Sequence, residues 1–408
     1  MNSYKAIRQR LKTQIMESLD FSTDIIDETV QSMIQEKIFQ YSKQHYLSMP
    51  DRDKLTKDLF HSIRRLDLLE EYLQNPEITE IMINGPDHIF IEKQGKLFPC
   101  QEVFESKEKL MDIIQQIVAR CNRVVNEASP IVDARLEDGS RVHVVLSPIA
   151  LNGPILTIRR FPEKPFTMEE LLQKDFLSQE VADFLKNMVI AGYNILISGG
   201  TGSGKTTFLN ALSQYIPCVE RIITIEDSAE LQILDKENLV RMETRNANVE
   251  GCIPISIRDL IRAALRMRPT RIIIGEVRGK EALDLIQAFN TGHDGSLSTG
   301  HANSAKDMLL RLETMILMGI EMPLAAIRAQ IAMGVDLIIQ IGRLRDTSRR
   351  LLEIVEVCGY KEETIQTRVL YQFQESGTDL HGRITGHLLK VNDLQNRTKL
   401  KAAGLEEV

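Results

Sequence analysis

The stretch Asn194-Ile195-Leu196-Ile197-Ser198-Gly199-Gly200-Thr201-Gly202-Ser203-Gly204-Lys205-Thr206-Thr207 decides the fold of this chain. It begins as a short apolar run, which is typical of a buried strand, and it breaks into a glycine-rich turn. Apolar residues at helical spacing follow at Phe208, Leu209 and Leu212. A strand, a glycine-rich loop and a helix in this order are the context that a phosphate-binding P-loop requires. The sequence therefore predicts a nucleotide site at this turn.

The residue types of the turn suit the binding of a polyphosphate. Glycines let successive backbone N–H groups point at an anion, and the helix N-terminus adds a partial positive charge. Lys205 can reach the β- and γ-phosphates, and the Thr206 hydroxyl can bind Mg²⁺. The residues predicted to bind nucleotide are Gly199, Gly200, Thr201, Gly202, Ser203, Gly204, Lys205, Thr206 and Thr207.

The composition is that of a globular protein with two or three domains. The chain has 408 residues, a formal net charge of −7, 43% hydrophobic residues and 26% charged residues. The acidic balance gives no reason to expect nucleic acid as the main partner. We expect no membrane-spanning helix and no signal peptide, because the long apolar segments that define them are missing. Five scattered cysteines without a C-x-x-C pair predict reduced cytosolic thiols rather than disulfides or zinc ligands.

Residues 1 to about 75 show helical spacing. The apolar positions that share one face of the first helix are Tyr4, Ile7, Leu11 and Ile15. Basic residues lie away from this face, so the helix could touch a membrane surface or a partner. A helix packed on its own domain explains the same pattern. Pro50 marks a break, and a second helix is predicted over 55–69.

A change to strand-like spacing from residue 78 predicts an α+β domain. Its predicted strands are 78–84, 88–92, 132–136, 141–145 and 155–160, with a helix at 107–119. The sequence Glu137-Asp138-Gly139-Ser140 predicts a hairpin turn, because Asp-Gly favours tight turns between strands. Residues 162–165 have the composition of a linker. The predicted domain boundaries are 1–65 for a helical extension, 66–160, a linker at 161–168, and 169–408.

Alternating patterns after the linker predict a mostly parallel sheet flanked by helices. A helix is expected at 178–191, before the P-loop strand. The strand patterns that follow are 221–225, 271–275, 336–341 and 351–357, and the helix patterns are 258–267, 280–290, 305–318 and 324–333. The last 35 residues are weakly patterned, and the sequence supports no firm assignment there.

Two acids follow apolar strands of this predicted sheet. Glu226 ends the run 222–226, and Glu276 follows the run 272–275. The carboxyl end of a strand is the ligand side of an open α/β sheet. Carboxylates there can hold Mg²⁺ or polarise the water that attacks a γ-phosphate. Thr206 and Glu276 are the predicted metal-binding residues. A zinc site is not expected at His293 or His301, because no cysteine or acid lies at ligand spacing.

Linked motifs give the chain a family resemblance. They are the P-loop 199–207, an acidic box at 224–230, the stretches 241–245 and 248–251, a Walker B stretch at 272–279, a histidine box at 290–303, and the segments 78–85 and 133–136. Together they resemble the ATPases of type II and type IV secretion, type IV pili and Tad pili. The likeness is closest to the Tad branch and related type IV secretion. No tetracysteine zinc module is present in the sequence, which argues against the classical type II branch.

The resemblance implies a fold and a set of site residues. The expected fold is α/β: a RecA-like P-loop NTPase C-terminal domain, preceded by an α+β (PAS-like) N-terminal domain and a helical extension. It implies a homohexamer with ATP and Mg²⁺ between the two domains. Glu276 would be the Walker B acid and Glu226 the acidic-box carboxylate, and which of them activates water stays open. His301 would lie near the γ-phosphate.

The resemblance also implies arginines that close on the nucleotide from the N-terminal domain. Arg141 and Arg159 occupy the matching strands, with Arg135 and Arg160 as substitutes. An arginine arriving there would neutralise charge on the phosphoryl group. A purely structural arginine is the alternative at each position.

The function implied is ATP hydrolysis coupled to movement between the two domains. The movement would power pilus assembly or export through an inner-membrane platform protein, with the ATPase peripheral to the cytoplasmic face of that membrane and without stable nucleic acid. The alternatives are a conjugation or effector-secretion ATPase, a DNA-dependent RecA-like translocase, and a nucleotide-gated scaffold without turnover.

Overall fold

The computed structural model describes residues 2–19, 26–93, 95–136, 138–161, 164–245 and 253–405. The chain forms two compact units, Met1–Pro162 and Glu163–Val408. Three predicted features lie partly or wholly outside the described residues: the turn residue Glu137, part of the linker at 162–163, and the motif 248–251. Within the described ranges, no helix is both long and apolar enough to cross a bilayer.

The first unit begins with four helices. They are α1 (Asn2–Ser18), α2 (Asp27–Ser42), α3 (Met49–Arg64) and α4 (Leu68–Gln74). The apolar face of α1 is covered by its own unit, because Leu11 and Ile15 pack with residues of α2 and α3. Two of the basic residues are paired within the unit as well, since Arg8 lies 2.6 Å from Asp67 and Lys12 lies 3.1 Å from Glu105. The structure therefore favours a helix packed on its own domain.

The prediction that this region is helical is confirmed, but the predicted positions at which the helices are interrupted are wrong. Pro50 lies in the first turn of α3, next to the cap residue Ser48, where a missing N–H costs no hydrogen bond. The predicted helix 55–69 is interrupted at Asp67, whose φ of 55° is incompatible with a continuing right-handed helix.

A six-stranded antiparallel sheet completes the first unit. Its elements are β1 (Ile78–Asn84), β2 (Ile89–Lys93), β3 (Lys96–Pro99), α5 (Lys107–Arg120), β4 (Ile131–Arg135), β5 (Arg141–Val145) and β6 (Ile155–Arg159). The strand order is β3-β2-β1-β6-β5-β4. Alternate residues such as Val142, Val144, Leu156 and Ile158 form a core with α5. The predicted strands are present, and β3 was missed.

The second unit contains the remaining elements. They are α6 (Met168–Gln173), α7 (Gln179–Ile190), β7 (Ile195–Gly199), α8 (Lys205–Ser213), β8 (Ile222–Glu226), β9 (Leu239–Glu243), α9 (Ile257–Ala264), β10 (Arg271–Val277), α10 (Ala282–Asn290), β11 (Leu297–Gly300), α11 (Ala305–Leu317), α12 (Leu324–Gly334), β12 (Leu337–Arg343), β13 (Arg349–Lys361), β14 (Thr364–Thr378), β15 (Ile384–Lys390) and α13 (Thr398–Ala402).

A nine-stranded sheet organises this unit. Its order is β15-β14-β13-β12-β7-β11-β10-β8-β9. The strands from β12 to β9 are parallel, whereas β13, β14 and β15 pair antiparallel. Helices cover both faces of the parallel part and form two separate cores. The P-loop strand β7 is therefore central, and its C-terminal end lies beside the ends of β11 and β12.

The last part of the chain is ordered, although its sequence supported no assignment. It forms the end of β14 together with β15 and α13, and most side chains of β14 and β15 are not buried. The tail returns to the start of β7. Lys399 Nζ donates to Asp336 at 2.7 Å and to the carbonyl of Gly192 at 3.0 Å. The buried Glu356 accepts the backbone N–H groups of Gln395 and Asn396.

Asn194 fixes the beginning of the P-loop strand. Its side chain is 2% exposed and satisfies three backbone groups of neighbouring segments. The Nδ2 group donates to the carbonyls of Phe289 and Gly334, and Oδ1 accepts the N–H of Ser296. Asn194 therefore joins β7 to the segments that lead into β11 and β12.

We expect Asn194→Ala to lower the free energy of unfolding by about 2–4 kcal/mol, because it leaves buried carbonyl and N–H groups without partners. Chemical denaturation of the full chain measures this value. Asn238→Ala is the control, since Asn238 is exposed and accepts one hydrogen bond, from Arg221. A loss below about 0.5 kcal/mol for the Asn194 variant, the size of an ordinary surface change, would contradict this role.

Candidate nucleotide site

The glycine-rich loop connects β7 to α8 as the sequence predicts. Gly202 and Gly204 have φ values of 70° and 96°, which side-chain-bearing residues rarely adopt. A Cβ on Gly199 would lie 2.5 Å from the carbonyl oxygen of Ile341. Apart from the flanking residues in the chain, no heavy atom of the described residues lies within 4 Å of the Cβ position at Gly200 or Gly202. The loop is therefore packed against β12 on one side and open on the other, as a phosphate cradle requires.

Lys205, the first residue of α8, is held in the loop through its ammonium group. The ammonium donates to the carbonyls of Gly199 at 3.1 Å and Gly200 at 3.0 Å. It also donates to His301 Nδ1 at 3.1 Å. An ammonium group can only donate, so Nδ1 must accept. We therefore assign the ring proton of His301 to Nε2.

Glu276 continues the chain of contacts from the other ring nitrogen. His301 Nε2 lies 2.7 Å from Glu276 Oε1, and an Arg278 terminal nitrogen donates to Glu276 Oε2 at 2.9 Å. Burial lowers the pKa of His301 below its usual range, and the positive charge of Lys205 lowers it further, against the opposing effect of Glu276. A neutral His301 thus joins the P-loop lysine to the carboxylate on β10.

The sheet order explains why these residues meet. Lys205 follows β7, His301 follows β11 and Glu276 lies near the end of β10, and these three strands are adjacent and parallel. The carboxyl ends of neighbouring parallel strands share one edge of the sheet. Residues 71 and 96 positions beyond Lys205 in the sequence are therefore brought into one cluster.

Glu226 lies in a different environment from Glu276. It is 3% exposed at the end of β8, and its Oε2 accepts the N–H groups of Glu230 and Leu231 at 2.8 and 2.9 Å. In the described part of the chain, its Oε1 has no hydrogen-bond partner. Burial raises the pKa of Glu226 to about 7. This acid orders the turn after β8 and does not join the cluster of Lys205, His301 and Glu276.

The donors available for a divalent cation are oxygen atoms. Thr206 is half-buried in the first turn of α8, and Glu276 offers its carboxylate. Hydroxyl and carboxylate oxygens are ligands that Mg²⁺ accepts, with water and phosphate oxygens completing its shell. The donor set therefore fits Mg²⁺. Among the described residues, no group of three or more histidine, cysteine or acidic side chains is placed to hold a metal ion.

Three of the four candidate arginines of the first unit lie on one face of its sheet. Arg135, Arg141 and Arg159 face one another across β4, β5 and β6, so they share the face of the sheet away from α5. Arg141 lies 3.4 Å from Asp133, and Arg159 lies 3.6 Å from Glu80. These exposed pairs are weak.

Arg160, by contrast, donates to the backbone carbonyls of Asn75 and Ile78 within its own unit. Arg135 is also used locally, because its Nε donates to the Gly139 carbonyl at 3.1 Å. Structural roles therefore account for both substitutes. Arg141 and Arg159 remain the candidates for reaching a ligand.

Two residues at the site were missed by the sequence reasoning. Arg278 follows Glu276 by two positions, and its position could have suggested the pairing. Arg349, at the start of β13, donates from Nε to the carbonyl of Gly202 at 2.8 Å. No local pattern could have linked Arg349 to a loop almost 150 positions earlier. Only the pairing of β12 with both β7 and β13 brings it there.

Comparison with known proteins identifies a family that the chain matches. A family model described as "Type II/IV secretion system protein" matches residues 64–391. The type IV secretion system protein PtlH of Bordetella pertussis is 33% identical over 315 residues, which is 71% of this chain and 93% of PtlH. An uncharacterized protein of Methanocaldococcus jannaschii is 42% identical over 277 residues, which is 65% of this chain but 38% of that protein. The match thus spans less than half of the archaeal relative.

The fold has a counterpart among solved structures. The crystal structure of the pilus retraction motor PilT with bound ADP matches with a TM-score of 0.51 at 20% identity, covering 80% of this chain and 83% of that one. At this identity the likeness concerns the fold. It confirms the predicted α/β architecture, in which a P-loop ATPase domain follows an N-terminal domain. The family match covers most of the sequence and includes parts of both units. The chain therefore belongs to the type II/IV secretion system protein family and carries its P-loop ATPase domain.

Proposed function

We propose that this protein is a motor ATPase that hydrolyses ATP to power pilus assembly or protein export. The observation that carries the proposal is the connected cluster of Lys205, His301 and Glu276 at the open side of the phosphate loop. Family membership supports it, since PtlH is named as a type IV secretion system protein and PilT as a pilus motor.

The proposed roles in binding follow from the loop. Backbone N–H groups of residues 199–207 hold the phosphates, and Lys205 exchanges its carbonyl partners for phosphate oxygens. Thr206 and Glu276 would hold Mg²⁺, which when bound supplies positive charge to the β- and γ-phosphates. His301 then keeps a contact near the γ-phosphate, because it already lies between Lys205 and Glu276.

Glu276 is the better candidate for acting on the attacking water. Its carboxylate lies in one cluster with Lys205 and His301, and it contacts His301 and Arg278 directly. Glu226, by contrast, is only about half ionised near neutral pH, because burial raises its pKa to about 7. We assign Glu226 to positioning the turn after β8.

The remaining parts of the proposal concern assembly. We propose a homohexamer at the cytoplasmic face of the inner membrane, acting on a platform protein of the machine. Arg141 and Arg159 would close on the nucleotide from the N-terminal domain and neutralise charge as the phosphoryl group transfers. For the two domains we propose the limits 66–160 and 169–408, with a helical extension before the first domain and a linker between the two. A place in the Tad branch is part of the same proposal.

The relationship to PtlH favours a second candidate, a type IV secretion ATPase that exports effectors or conjugation substrates. The catalytic proposal is the same in both cases. The second candidate would be favoured if the protein has an active ATPase site and binds a partner from a secretion system but none from a pilus system.

Lys205→Ala should abolish ATP turnover, with at least a roughly hundredfold fall in kcat, because it removes the ammonium group that the loop holds at the phosphate site. Steady-state phosphate release measures the effect. Lys186→Ala is a matched control on the exposed side of α7, where the lysine lies over Tyr215 and away from the loop. Undiminished hydrolysis in a folded Lys205→Ala variant would refute the site.

Glu226→Gln should remove a pH-dependent part of the stability. The pKa of Glu226 rises from 4.5 in the unfolded chain to about 7 in the fold, so between these values the folded state binds the extra proton. That contribution is complete below about pH 4.5 and is lost as pH rises through 7. The free energy of unfolding of the wild type, relative to Glu226→Gln, should therefore fall across this range, by at most about 3 kcal/mol.

Urea denaturation at a series of pH values measures this difference. Glu237→Gln is the control for the substitution itself, because Glu237 is exposed and the change should alter the free energy of unfolding by no more than about 0.5 kcal/mol. A flat difference for Glu226→Gln would show that its carboxyl group is not held in a protonated form, and the division of roles between the two acids would fail.

A further inference from the structure

The hairpin that joins β12 to β13 places two arginines beside the phosphate loop. In the pairing of β12 with β7, Ile341 lies opposite Gly199, the last residue before the loop. The strand β12 continues two residues further, to Arg343, where β7 has already turned into the loop. The strand β13 returns antiparallel, with Arg349 directly opposite Arg343. Opposite residues of an antiparallel pair share one face, so both side chains lie on the same face of the sheet.

That face is the one on which the P-loop helix packs. The core that contains Phe208 and Leu209 of α8 also contains Ile339, Ile341 and Leu351. These three residues lie two or four positions from Arg343 or Arg349 along β12 and β13, so their side chains lie on the same face of the sheet as the arginines. Arg349 contacts the loop directly, because its Nε donates to the Gly202 carbonyl at 2.8 Å. Its Cδ also lies 3.5 Å from the Cβ position of Gly204. The arginine pair therefore borders the loop.

Two guanidinium groups placed opposite each other repel, and such a pair is destabilising unless a negative charge is near. Across the described ranges, no carboxylate forms an ion pair with Arg343 or Arg349. A third arginine of the hairpin, Arg345, differs, because it forms a bidentate pair with Glu375, with one contact at 2.7 Å. Within the described ranges, the two arginines that border the phosphate loop thus carry charge without a carboxylate in an ion pair.

The sheet order indicates which end of a nucleotide these arginines face. Glu276 and His301 come from β10 and β11, on one side of β7, and they mark the γ-phosphate end. The strands β12 and β13 lie on the opposite side of β7. A triphosphate laid along the loop with its γ-phosphate at Glu276 directs its α-phosphate and nucleoside towards β12 and β13.

We propose that Arg343 and Arg349 bind the non-transferred end of the nucleotide, at its α-phosphate, from the same subunit as the P-loop. The proposal rests on the nucleotide binding proposed above and adds two ligand-binding residues to it. Arg349 keeps its Nε contact with Gly202 and offers its terminal nitrogens to the phosphate. Both arginines make the same contacts with ATP and with ADP. They therefore contribute to affinity and leave the chemical step unchanged.

The test compares Arg343→Gln, Arg349→Gln and the double variant with Arg345→Gln, whose arginine is paired with Glu375. Calorimetric titrations with ATP and with ADP give the dissociation constants, steady-state assays give kcat and KM, and thermal melting reports folding. Each substitution in the pair should weaken binding of ATP and ADP alike by about tenfold, since it removes a charge-assisted hydrogen bond. KM should rise with kcat unchanged. Arg345→Gln should bind as the wild type does.

Several results would overturn the proposal. Unchanged affinity in both single variants would do so, and so would a loss of kcat without a change in ADP binding. If Arg349→Gln loses the fold through its contact with Gly202, Arg343→Gln still decides the question, because within the described ranges the side chain of Arg343 forms no hydrogen bond with the loop. Wild-type protein that binds neither nucleotide would refute the proposed function itself, whereas wild-type binding with unaffected variants refutes only the arginine pair.

Discussion

The site depends on one chain of contacts, in which Lys205 donates to His301 and His301 in turn lies against Glu276. Lys205 requires that His301 carry its ring proton on Nε2, because an ammonium group cannot accept a hydrogen bond from Nδ1. A ligand that draws Lys205 onto a phosphate therefore changes the partner of His301. Glu276 contacts the same ring, so on the proposed mechanism occupancy of the loop would be coupled to the acid proposed to act on water.

This chain of contacts is possible only because three parallel strands end together. Their register is fixed far from the chemistry, at the opposite ends of the strands. Asn194 ties the start of β7 to its neighbours, and the buried Arg271 at the start of β10 forms an ion pair with Glu220 and donates to the Val189 carbonyl. The C-terminal tail adds Lys399 to the same region. Polar groups buried at the start of the sheet therefore position the residues of the candidate site at its other end.

The sequence predicted the features that depend on a short stretch of neighbouring residues. The P-loop, the acids after apolar strands and the antiparallel hairpin at Gly139 each have a short pattern with a physical cause. Features that depend on burial or on distant pairing were out of reach. The separation of Glu226 from Glu276 follows from burial, and the contact of Arg349 with Gly202 follows from strand order. The strands β14 and β15 were missed because most of their side chains are not buried, so no apolar alternation marks them.

The central claim is that main-chain amides of the loop and the carboxylate of Glu276 converge on one Mg²⁺-bound triphosphate. A crystal structure of the protein with a non-hydrolysable ATP analogue and Mg²⁺ tests it most directly. The account predicts Lys205 on the phosphates and Glu276 directed at the γ-phosphate, with His301 beside it. A structure in which Glu276 points away from the triphosphate, with no other acid in its place, would contradict the account and leave a nucleotide-binding protein without a motor.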